Sequence, residues 1–459
     1  MIVLIVERKY KMDVKVLITG NNLKDKTFSL LSISCQSKII FRSNDRNREI
    51  NNGQNVTLKV ENGAFYINNE LFSAREKIDF TSADFILLKN ITRLYQGQSI
   101  NPQYRGRFEA WQDSDNRFKL IQVVNLEDYV LGSIASEMPL NFNLEALKAQ
   151  SVACRTYALN PRVSHAIDRA NVCDSYFCCL YYCGNKKEAE KFKTSVDGTS
   201  DKVIVYQGKP ILALFSSCAG GQTNNYSDCF YDPVTGSFPS LPVPYLTSTL
   251  ETDSKNTYLK LSNLDKTYKS NHSELSQHHK AIEYLYNNNV KTYDSDTSQF
   301  KWSLEVSSDE LENHLHFNIF ELLKDPVHSN LIKPSQSNIF GHINNMYISS
   351  YAASNVAKEL TIETSHGNWQ IRSEILIRKL FKNVKANLKL LHSAKFFIKT
   401  ELGKLNLLKN TTFIGLGLGH GVGMQQIGAN GMANRGKNYQ EILNHYYLNA
   451  KIINSKDLS

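Results

Sequence analysis

The chain has 459 residues, a mass of 52.2 kDa and a formal net charge of +9 at pH 7. With 41% hydrophobic and 21% charged residues and a mean hydropathy of −0.36, its composition is that of a soluble globular protein, which excludes collagenous, disordered and multi-span membrane chains. The length exceeds that of one ordinary core, so we expect two domains or one domain with large insertions.

The positive charge favours polyanionic partners such as nucleic acid, anionic lipid or an acidic wall polymer. The sequence contains no Lys/Arg-dense run interleaved with aromatic residues, and no zinc-finger, RRM or helix-turn-helix signature. We therefore predict no nucleic-acid partner and interpret the surplus charge mainly as a solvated surface.

The chain begins with an apolar hexapeptide, residues 1–6, which is too short for the apolar part of a signal peptide or for a membrane span. Met12 is an alternative start, because residues 13–19 already read as a strand. The sequence predicts no clear export signal and no transmembrane helix.

Residues 13–115 alternate between short β-branched or aromatic runs and Asn/Gly turns, as at 51–53 and 61–63. Runs at 38–41, 56–60 and 64–67 are typical strands. We predict a small β-rich N-terminal domain over residues 1–115, with strands near 104–111 and 120–124 leading into the next domain.

A helical pattern follows the strands. Asn125 can cap a helix that ends at Pro139, and Asn143 can cap a second helix over residues 144–159, which Asn160 and Pro161 stop. Helical spacing of Leu126, Tyr129, Val130, Ile134 and Met138 gives the first helix its apolar face.

Later segments are predicted from the same signals. Strands are expected at 202–206 and 210–215, a hairpin at 360–363 and 369–371, and a helix at 375–381. Residues 253–298 are polar and have few large apolar anchors, which predicts an insertion or a mobile excursion.

Seven of the eight cysteines lie between residues 154 and 229. Such clustering indicates a metal site, disulfides, or an excess of small buried residues.

The segment at residues 126–159 reads LEDYVLGSIASEMPLNFNLEALKAQSVACRTYAL. Its Glu-x-Tyr-Val-x-Gly opening, Ala-x-Glu-Met-Pro turn and Ala-Leu-Lys-Ala-Gln-x-Val-Ala-x-Arg-Thr-Tyr-Ala helix resemble the signature of the SpoIID family. That family, named for sporulation stage II protein D, also includes the LytB amidase enhancers. The resemblance extends from about residue 120 to 453, interrupted by the polar segment.

A second motif, GLGLGHGVG at residues 415–423, has glycine at every other position. If the segment is extended, the glycines share one side and allow close approach of a backbone or ligand, and His420 projects from the other side. With residues 424–447 the motif resembles the closing pattern of the family. Leu416, Leu418 and Gln425 depart from it, where the family has Arg, Trp and Ser.

Glu137 is the candidate acid. It follows Ile134 by one turn at the C-terminal end of its helix, where partial desolvation and the negative end of the helix dipole both favour a protonated carboxyl. A protonated acid is what a departing glycosidic oxygen needs. The alternative reading is an ordinary capping or ion-paired surface glutamate.

Further site residues are predicted on the second helix and in the glycine-rich motif. Lys148, Ser151 and Arg155 share one helical face that can contact sugar hydroxyls or carboxylates, or can simply be a solvent-exposed face. The resemblance adds Tyr157 and Gly421 to the predicted substrate-binding set, and Gln425 is included at the position where the family has Ser. His420 is predicted to orient substrate or share a proton, with a structural histidine as the alternative.

His165, Cys173 and Cys178 resemble a metal-binding stretch of some family members, in which zinc lies beside the active site. Phe177 stands where those members have a further His, and Cys179 or Cys183 can substitute for it. Zinc accepts such mixed sulfur and nitrogen ligands. Disulfides and free thiols stay open as alternatives.

The resemblance implies an α+β protein, with a mixed α/β catalytic domain of the SpoIID kind over residues 116–459 after the β-rich domain. It also implies a lytic transglycosylase that acts on peptidoglycan glycan strands without stem peptides and forms 1,6-anhydro ends, in the cell envelope. A usual hydrolase needs two carboxylates, whereas this route needs one. The alternatives are a noncatalytic enhancer of a cell-wall amidase and a glycan-binding module.

Overall fold

The computed structural model of the chain describes residues 12–44, 46–95, 97–254, 274–333, 339–403 and 407–458. Helices account for 25% and strands for 34% of the chain, which confirms the predicted α+β class. Two compact units form: residues 1–212 with 451–459, and residues 213–450. Among the described residues, no helix is both long enough and apolar enough to cross a membrane.

The first unit begins with strands and continues into helices. Its early strands are β1 (Asp13–Ile18), β2 (Leu30–Cys35), β3 (Ile39–Arg42), β4 (Asn47–Ile50), β5 (Val56–Glu61), β6 (Ala64–Ile67), β7 (Glu70–Ser73), β8 (Lys77–Ser82) and β9 (Ile86–Leu88). They are followed by β10 (Arg93–Tyr95), β11 (Gln98–Ile100), β12 (Gln103–Tyr104), β13 (Arg107–Ser114) and β14 (Arg117–Asn125). The rest of the unit comprises α1 (Leu126–Glu137), α2 (Leu144–Leu159), β15 (Val172–Cys173), α3 (Glu190–Asp197), β16 (Lys202–Tyr206), β17 (Lys209–Pro210) and β27 (Lys451–Asn454).

Two larger sheets dominate the described part of the first unit, in the orders β15-β1-β14-β13-β8-β3-β4 and β12-β9-β2-β5-β6-β7. The predicted Asn/Gly turn between β5 and β6 is confirmed: Asn62 and Gly63 have φ of 50° and 70°, the left-handed pair that a tight hairpin needs. The predicted domain boundary at residues 115 and 116 falls in the turn of the β13–β14 hairpin, so both sides of it lie in one unit.

The two predicted helices of the first unit are confirmed nearly to the residue. The side chains of Asn125 and Asn143 accept hydrogen bonds from the backbone N–H groups of Glu127 and Glu145, each 3.0 Å long, and thereby begin α1 and α2. The two helices pack on each other, and α2 also packs on α3.

The second unit contains the remaining elements. They are β18 (Phe215–Ser216), α4 (Tyr226–Cys229), α5 (Glu274–Asn287), β19 (Lys301–Ser307), α6 (Ser308–Leu323), β20 (Ile332–Lys333), β21 (Ile343–Tyr351) and β22 (Ala357–Thr364). After these come β23 (Gly367–Arg372), α7 (Glu374–Leu380), β24 (Phe396–Leu402), β25 (Leu408–Leu416), β26 (Met424–Gln425), α8 (Gln426–Ala433) and α9 (Tyr439–Tyr446). The sheets have the orders β20-β23-β22-β21, β19-β25-β24 and β18-β26.

Several of the later predictions are confirmed, namely the strand β16 of the first unit and the hairpin β22–β23 and helix α7 of the second. The strand predicted at 210–215 is wrong over most of its length, because only its first residue belongs to β17 and its last to β18. Residues 211–213 are buried all the same, so the apolar run reflects burial and not strand formation.

The polar segment at 253–298 is not a mobile excursion where the structure describes it. Residues 274–287 form α5, and the side chains of Thr292, Tyr293 and Asp294 are buried. Asp294 accepts hydrogen bonds from the backbone N–H groups of Gly220 and Gly221, which satisfies its buried carboxylate. Residues 255–273 of the predicted insertion lie outside the described residues.

Candidate functional site

Glu137 is the last residue of α1, and its side chain is partly exposed. Its Oε1 accepts a hydrogen bond of 2.7 Å from the backbone N–H of Tyr181. The following residue, Met138, ends the helix with a backbone hydrogen bond to Ile134, and Pro139 cannot continue it. The carboxylate is therefore both accessible and fixed to a second chain segment.

That second segment, residues 173–183, is attached to the end of α1 at a further point. The backbone N–H of Cys183 donates to Ser136 Oγ at 3.1 Å, and that of Tyr182 donates to the carbonyl of Asp174 at 3.3 Å. Asp174 is itself fully buried and ion-paired with Arg93 at 2.5 Å. These contacts fix the N–H group that holds Glu137.

Arg155 does not face solvent. Its side chain is fully buried and makes a forked contact with Glu127, from Nε to Oε1 at 2.7 Å and from Nη2 to Oε2 at 2.5 Å. Its Nη1 donates to the carbonyl of Lys202 at 3.0 Å. The forked geometry predicted for a sugar carboxylate is used within the protein, where it ties α2 to α1.

The rest of the predicted face of α2 is also covered, because α3 packs on it. Ser151 is fully buried, and its Oγ donates to the carbonyl of Leu147 at 2.9 Å and lies 3.2 Å from Ser195 Oγ. Lys148 pairs with Glu145 of its own helix at 2.7 Å. Ser151 and Arg155 thus lie inside the unit, away from any surface that a glycan can reach.

Tyr157 lies beside the cysteine-rich segment. Its side chain is buried, and its hydroxyl donates to the carbonyl of Cys178 at 3.4 Å. Burial, with the nearby Cys179, raises the pKa of Tyr157 well above its usual value, so the ring stays neutral at physiological pH.

The predicted metal ligands come together, and a fourth joins them. One ligand atom each from His165, Cys173, Cys178 and Cys179 lies within 4.8 Å of the other three. His165 Nε2 is 3.3 Å from the Sγ atoms of both Cys178 and Cys179. Phe177 is half exposed and Cys183 is not part of this group of four, so Cys179 is the substitute that the sequence left open.

The donor set fits zinc. Tetrahedral zinc with sulfur ligands at about 2.3 Å needs sulfur atoms about 3.8 Å apart, so the observed spacing requires only small side-chain adjustments. All eight cysteines are free thiols in the structure. A cavity of about 200 Å³, lined by Lys24, Phe177 and Cys178 among others, opens beside the cluster and gives an ion a path to it.

The thiols and the imidazole also perturb one another. Hydrogen bonding to Cys178 and Cys179 raises the pKa of His165 to about 10, and hydrogen bonding from Cys173 lowers the pKa of the Cys178 thiol. Cys178 is therefore favoured as the thiolate, which is the form that binds zinc, whereas His165 has to lose a proton before Nε2 can bind a metal.

The glycine-rich motif is not an extended strand. Only Gly415 and Leu416 belong to β25; the glycines at 417, 419, 421 and 423 have φ between 67° and 98°, so the segment winds through left-handed conformations. The prediction that the glycines share one side of a strand is wrong. Instead, a Cβ on Gly423 would overlap with the carbonyl oxygen of Leu214 in a neighbouring segment.

His420 has its Nδ1 turned to the backbone, where it accepts a hydrogen bond of 3.0 Å from the N–H of Val422. Its ring packs edge-on against Phe230, with centroids 5.4 Å apart. Burial, with the nearby Arg378, lowers the pKa of His420 to about 4, so the imidazole is neutral at pH 7. These contacts are those of the structural histidine that was the alternative reading.

Gly421 and Gln425 hold backbone together in the same way. The N–H of Gly421 donates to Ser216 Oγ at 3.2 Å, and its carbonyl accepts from the N–H of Asn224 at 2.7 Å. Gln425 is fully buried and donates from Nε2 to the carbonyl of Gly423 at 3.0 Å. Of the predicted residues, the structure brings Glu137, Tyr157 and the metal ligands together in the first unit, whereas His420, Gly421 and Gln425 belong to the second.

Two family models match the chain: Stage II sporulation protein over residues 114–206, and a domain of unknown function (DUF8618) over residues 234–423. The chain is 25% identical over 342 residues to Stage II sporulation protein D of Bacillus amyloliquefaciens, covering 71% of this chain and 74% of the relative. It is 26% identical over 398 residues to an uncharacterized protein of Brachyspira hyodysenteriae, covering 87% and 82% of the two. It is also 26% identical over 322 residues to the Amidase enhancer of Bacillus subtilis, covering 69% of this chain and 39% of that protein.

Proposed function

Because the chain belongs to the SpoIID/LytB family, we propose that it is a peptidoglycan lytic transglycosylase that cleaves glycan strands, with Glu137 as general acid and base. The expected substrate is a strand without stem peptides, and the expected products carry 1,6-anhydro ends. Such a substrate puts the site of action at the cell envelope, on the periplasmic or wall side of the membrane.

The position of Glu137 is the observation that carries the proposal. Glu137 is partly exposed at the end of α1, as an acid that must reach a polymer has to be. The N–H of Tyr181 donates to Oε1 and can stabilise the negative charge that appears when the acid gives up its proton.

The reaction needs one acid in two steps. Glu137 first gives its proton to the bridging oxygen as the bond between that oxygen and C1 of the sugar breaks. The resulting carboxylate then accepts the proton of the C6 hydroxyl of the same sugar while the C6 oxygen bonds to C1. The ring closes, Glu137 is protonated again, and no water is consumed.

In this scheme, Arg155 and Ser151 support the helix that ends at Glu137 and do not contact the sugar. The forked contact between Arg155 and Glu127 connects α2 to the first turn of α1, which ends at Glu137. We assign both residues to the support of α1 and not to sugar contact, because both side chains are fully buried. Tyr157 is likewise buried, and its hydroxyl donates to the Cys178 carbonyl, so of the predicted α2 residues the partly exposed Lys148 stays a proposed substrate contact.

We propose zinc as the metal, held by His165, Cys173, Cys178 and Cys179. Four protein ligands complete a tetrahedral set, so the ion would supply structure and not an activated water. The segment that it would fix also carries the Tyr181 N–H group, two residues after Cys179.

An enhancer of a cell-wall amidase is the second candidate, and the similarity to the Amidase enhancer of Bacillus subtilis favours it. In that case, the chain binds wall glycan without cutting it and has an amidase as its partner. Binding to denuded strands without new chain ends would identify this function or that of a glycan-binding module.

Purified peptide-free glycan strands and mass spectrometry of their ends test the proposal. We expect the protein to release anhydro-ended fragments and Glu137→Gln to lower that release by about 100-fold or more, because the amide cannot donate or accept the proton. Glu190→Gln, on the exposed start of α3, is the matched control and should leave release unchanged. Equal release by the Glu137→Gln variant and the unchanged protein would exclude Glu137 as the acid.

A further inference from the structure

The two ring nitrogens of His165 face different groups. Nε2 lies 3.3 Å from the sulfur atoms of Cys178 and Cys179, whereas Nδ1 lies 3.4 Å from Oδ2 of Asp168. A histidine that binds a metal through one nitrogen commonly donates the proton of the other to a carboxylate, which fixes the tautomer and the plane of the ring. Asp168 occupies the position of that carboxylate.

Asp168 is held firmly behind the ring. It ends a short 3-10 helix, Ala166–Asp168, that begins directly after His165, and its side chain is 8% exposed. Lys26 Nζ lies 2.7 Å from Oδ2, and Lys119 Nζ lies 3.0 Å from Oδ1. The two ammonium groups compensate the buried charge and leave the carboxylate little freedom to turn away from His165.

We propose that Asp168 is a positioning residue for the metal cluster, which accepts the Nδ1 proton of His165 so that the Nε2 lone pair points at the ion. The inference rests on the zinc part of the proposed function and adds a residue outside the ligand set. It also links the ligands to the rest of the unit, because Lys119 belongs to β14 and Lys26 precedes β2.

Asp113 provides a matched control for this role. It lies 3.1 Å from the same Lys119 Nζ and is 37% exposed, and no contact between Asp113 and His165 occurs among the described residues. Asp113→Asn removes one negative charge from the same lysine, as Asp168→Asn does, but leaves the imidazole unaffected.

The test is the zinc affinity of the full-length protein, measured by competition with a chromophoric chelator. We expect Asp168→Asn to weaken zinc binding by about 10- to 100-fold, because an amide is a poorer acceptor for the Nδ1 proton. The Asp113→Asn variant should bind zinc as the unchanged protein does. Equal affinities for the two variants would overturn the inference.

A second measurement does not depend on how well a variant folds. In the zinc-loaded unchanged protein with ¹⁵N-labelled histidine, NMR should find His165 bonded to the metal through Nε2 and carrying its proton on Nδ1. Metal bonded to Nδ1 would overturn the inference. Both experiments measure metal binding alone, so they can fail while Glu137 still cleaves glycan, and the glycan assay can fail while they succeed.

Discussion

Two segments of the molecule carry motifs of similar prominence but differ in what they offer a ligand. The segment at 173–183 of the first unit presents a half-exposed aromatic ring and a cluster of thiols, and its backbone holds an accessible carboxylate. The glycine-rich segment at 415–423 of the second unit directs its polar groups inward, as with the Nδ1 of His420 and both backbone groups of Gly421.

The difference shows that a glycine at every other position indicates that other atoms pack closely against the segment. The pattern does not indicate whether those atoms belong to a ligand or to the same chain. In the second unit, the approaching groups are other parts of the same chain: the carbonyl oxygen of Leu214 at Gly423, and the ring of Trp302 at Gly415. The clustered thiols and the partly exposed Glu137 belong to the first unit. The glycine-rich segment therefore packs against its own chain, whereas the cysteine-rich segment contacts the proposed acid, Glu137.

Among the tests of this difference between the two segments, the substitution Gly423→Ala has the largest expected effect. We expect it to lower the free energy of unfolding by about 3–5 kcal/mol, because the new Cβ meets a carbonyl oxygen that can move only with its backbone. Chemical denaturation of the purified protein measures the change.

Gly436→Ala is its control. Gly436 has a similar φ of 84°, but a Cβ there would have no neighbour within 4 Å. Gly436→Ala should lower the free energy of unfolding by only about 1–2 kcal/mol, which is the strain of an alanine in the left-handed conformation. Equal losses for the two variants would contradict the close-packing interpretation of the motif.

The next effect concerns Arg155, an inward-facing residue of the first unit. Arg155→Ala should lower the free energy of unfolding by about 3 kcal/mol, because it leaves Glu127 and the Lys202 carbonyl without their donor. Lys148→Ala, about two turns earlier on the same helical face, removes only a partly exposed pair and should lower the free energy of unfolding by about 0.5 kcal/mol or less. A larger decrease in the free energy of unfolding for Lys148→Ala than for Arg155→Ala would contradict the assignment of Arg155 as the buried residue of this face.

The smallest effect is a pH dependence from His420. Its folded pKa of about 4 lies below the ordinary value of 6.5, so the folded state favours the neutral ring and the unfolded state binds the proton more readily. The resulting stabilisation is complete above about pH 6.5 and is lost as the pH falls towards 4.

Denaturation at pH 7 and pH 4 checks this. The free energy of unfolding should fall less between pH 7 and pH 4 in the His420→Gln variant than in the unchanged protein, by about 2 kcal/mol. His342→Gln, whose ring is 79% exposed, is the matched control. An unchanged loss in the His420→Gln variant would show that the ring is solvated in the folded protein.

Local signals predicted the helices well, because capping is decided by adjacent residues. Asn125 and Asn143 cap α1 and α2, and prolines follow both helices. The same signals predicted a domain boundary at residue 115, inside the β13–β14 hairpin of one unit, because they contain no information on the pairing of β1 with β14, which lie about a hundred residues apart. Pairing at such a distance leaves no local pattern.

The candidate site was predictable to the same extent. The motif identified Glu137, His165, Cys173 and Cys178, but periodicity alone placed Arg155 on a solvent-facing side. Its true partner, Glu127, lies on another helix, so burial there depends on packing between helices. In sequence, Asp168 is only an acid three residues after a histidine. Its proposed role became visible only when the structure showed that Lys26 and Lys119 hold its carboxylate.

The strand β27 has a practical consequence for protein engineering. It comes directly after the second unit in sequence but pairs with β16 of the first, from Lys202 with Asn454 to Val205 with Lys451. Trimming those few residues would uncover one edge of β16, a strand that also accepts Arg155 through the Lys202 carbonyl. Changes to this short segment would therefore affect the first unit, although the segment follows the second unit in sequence.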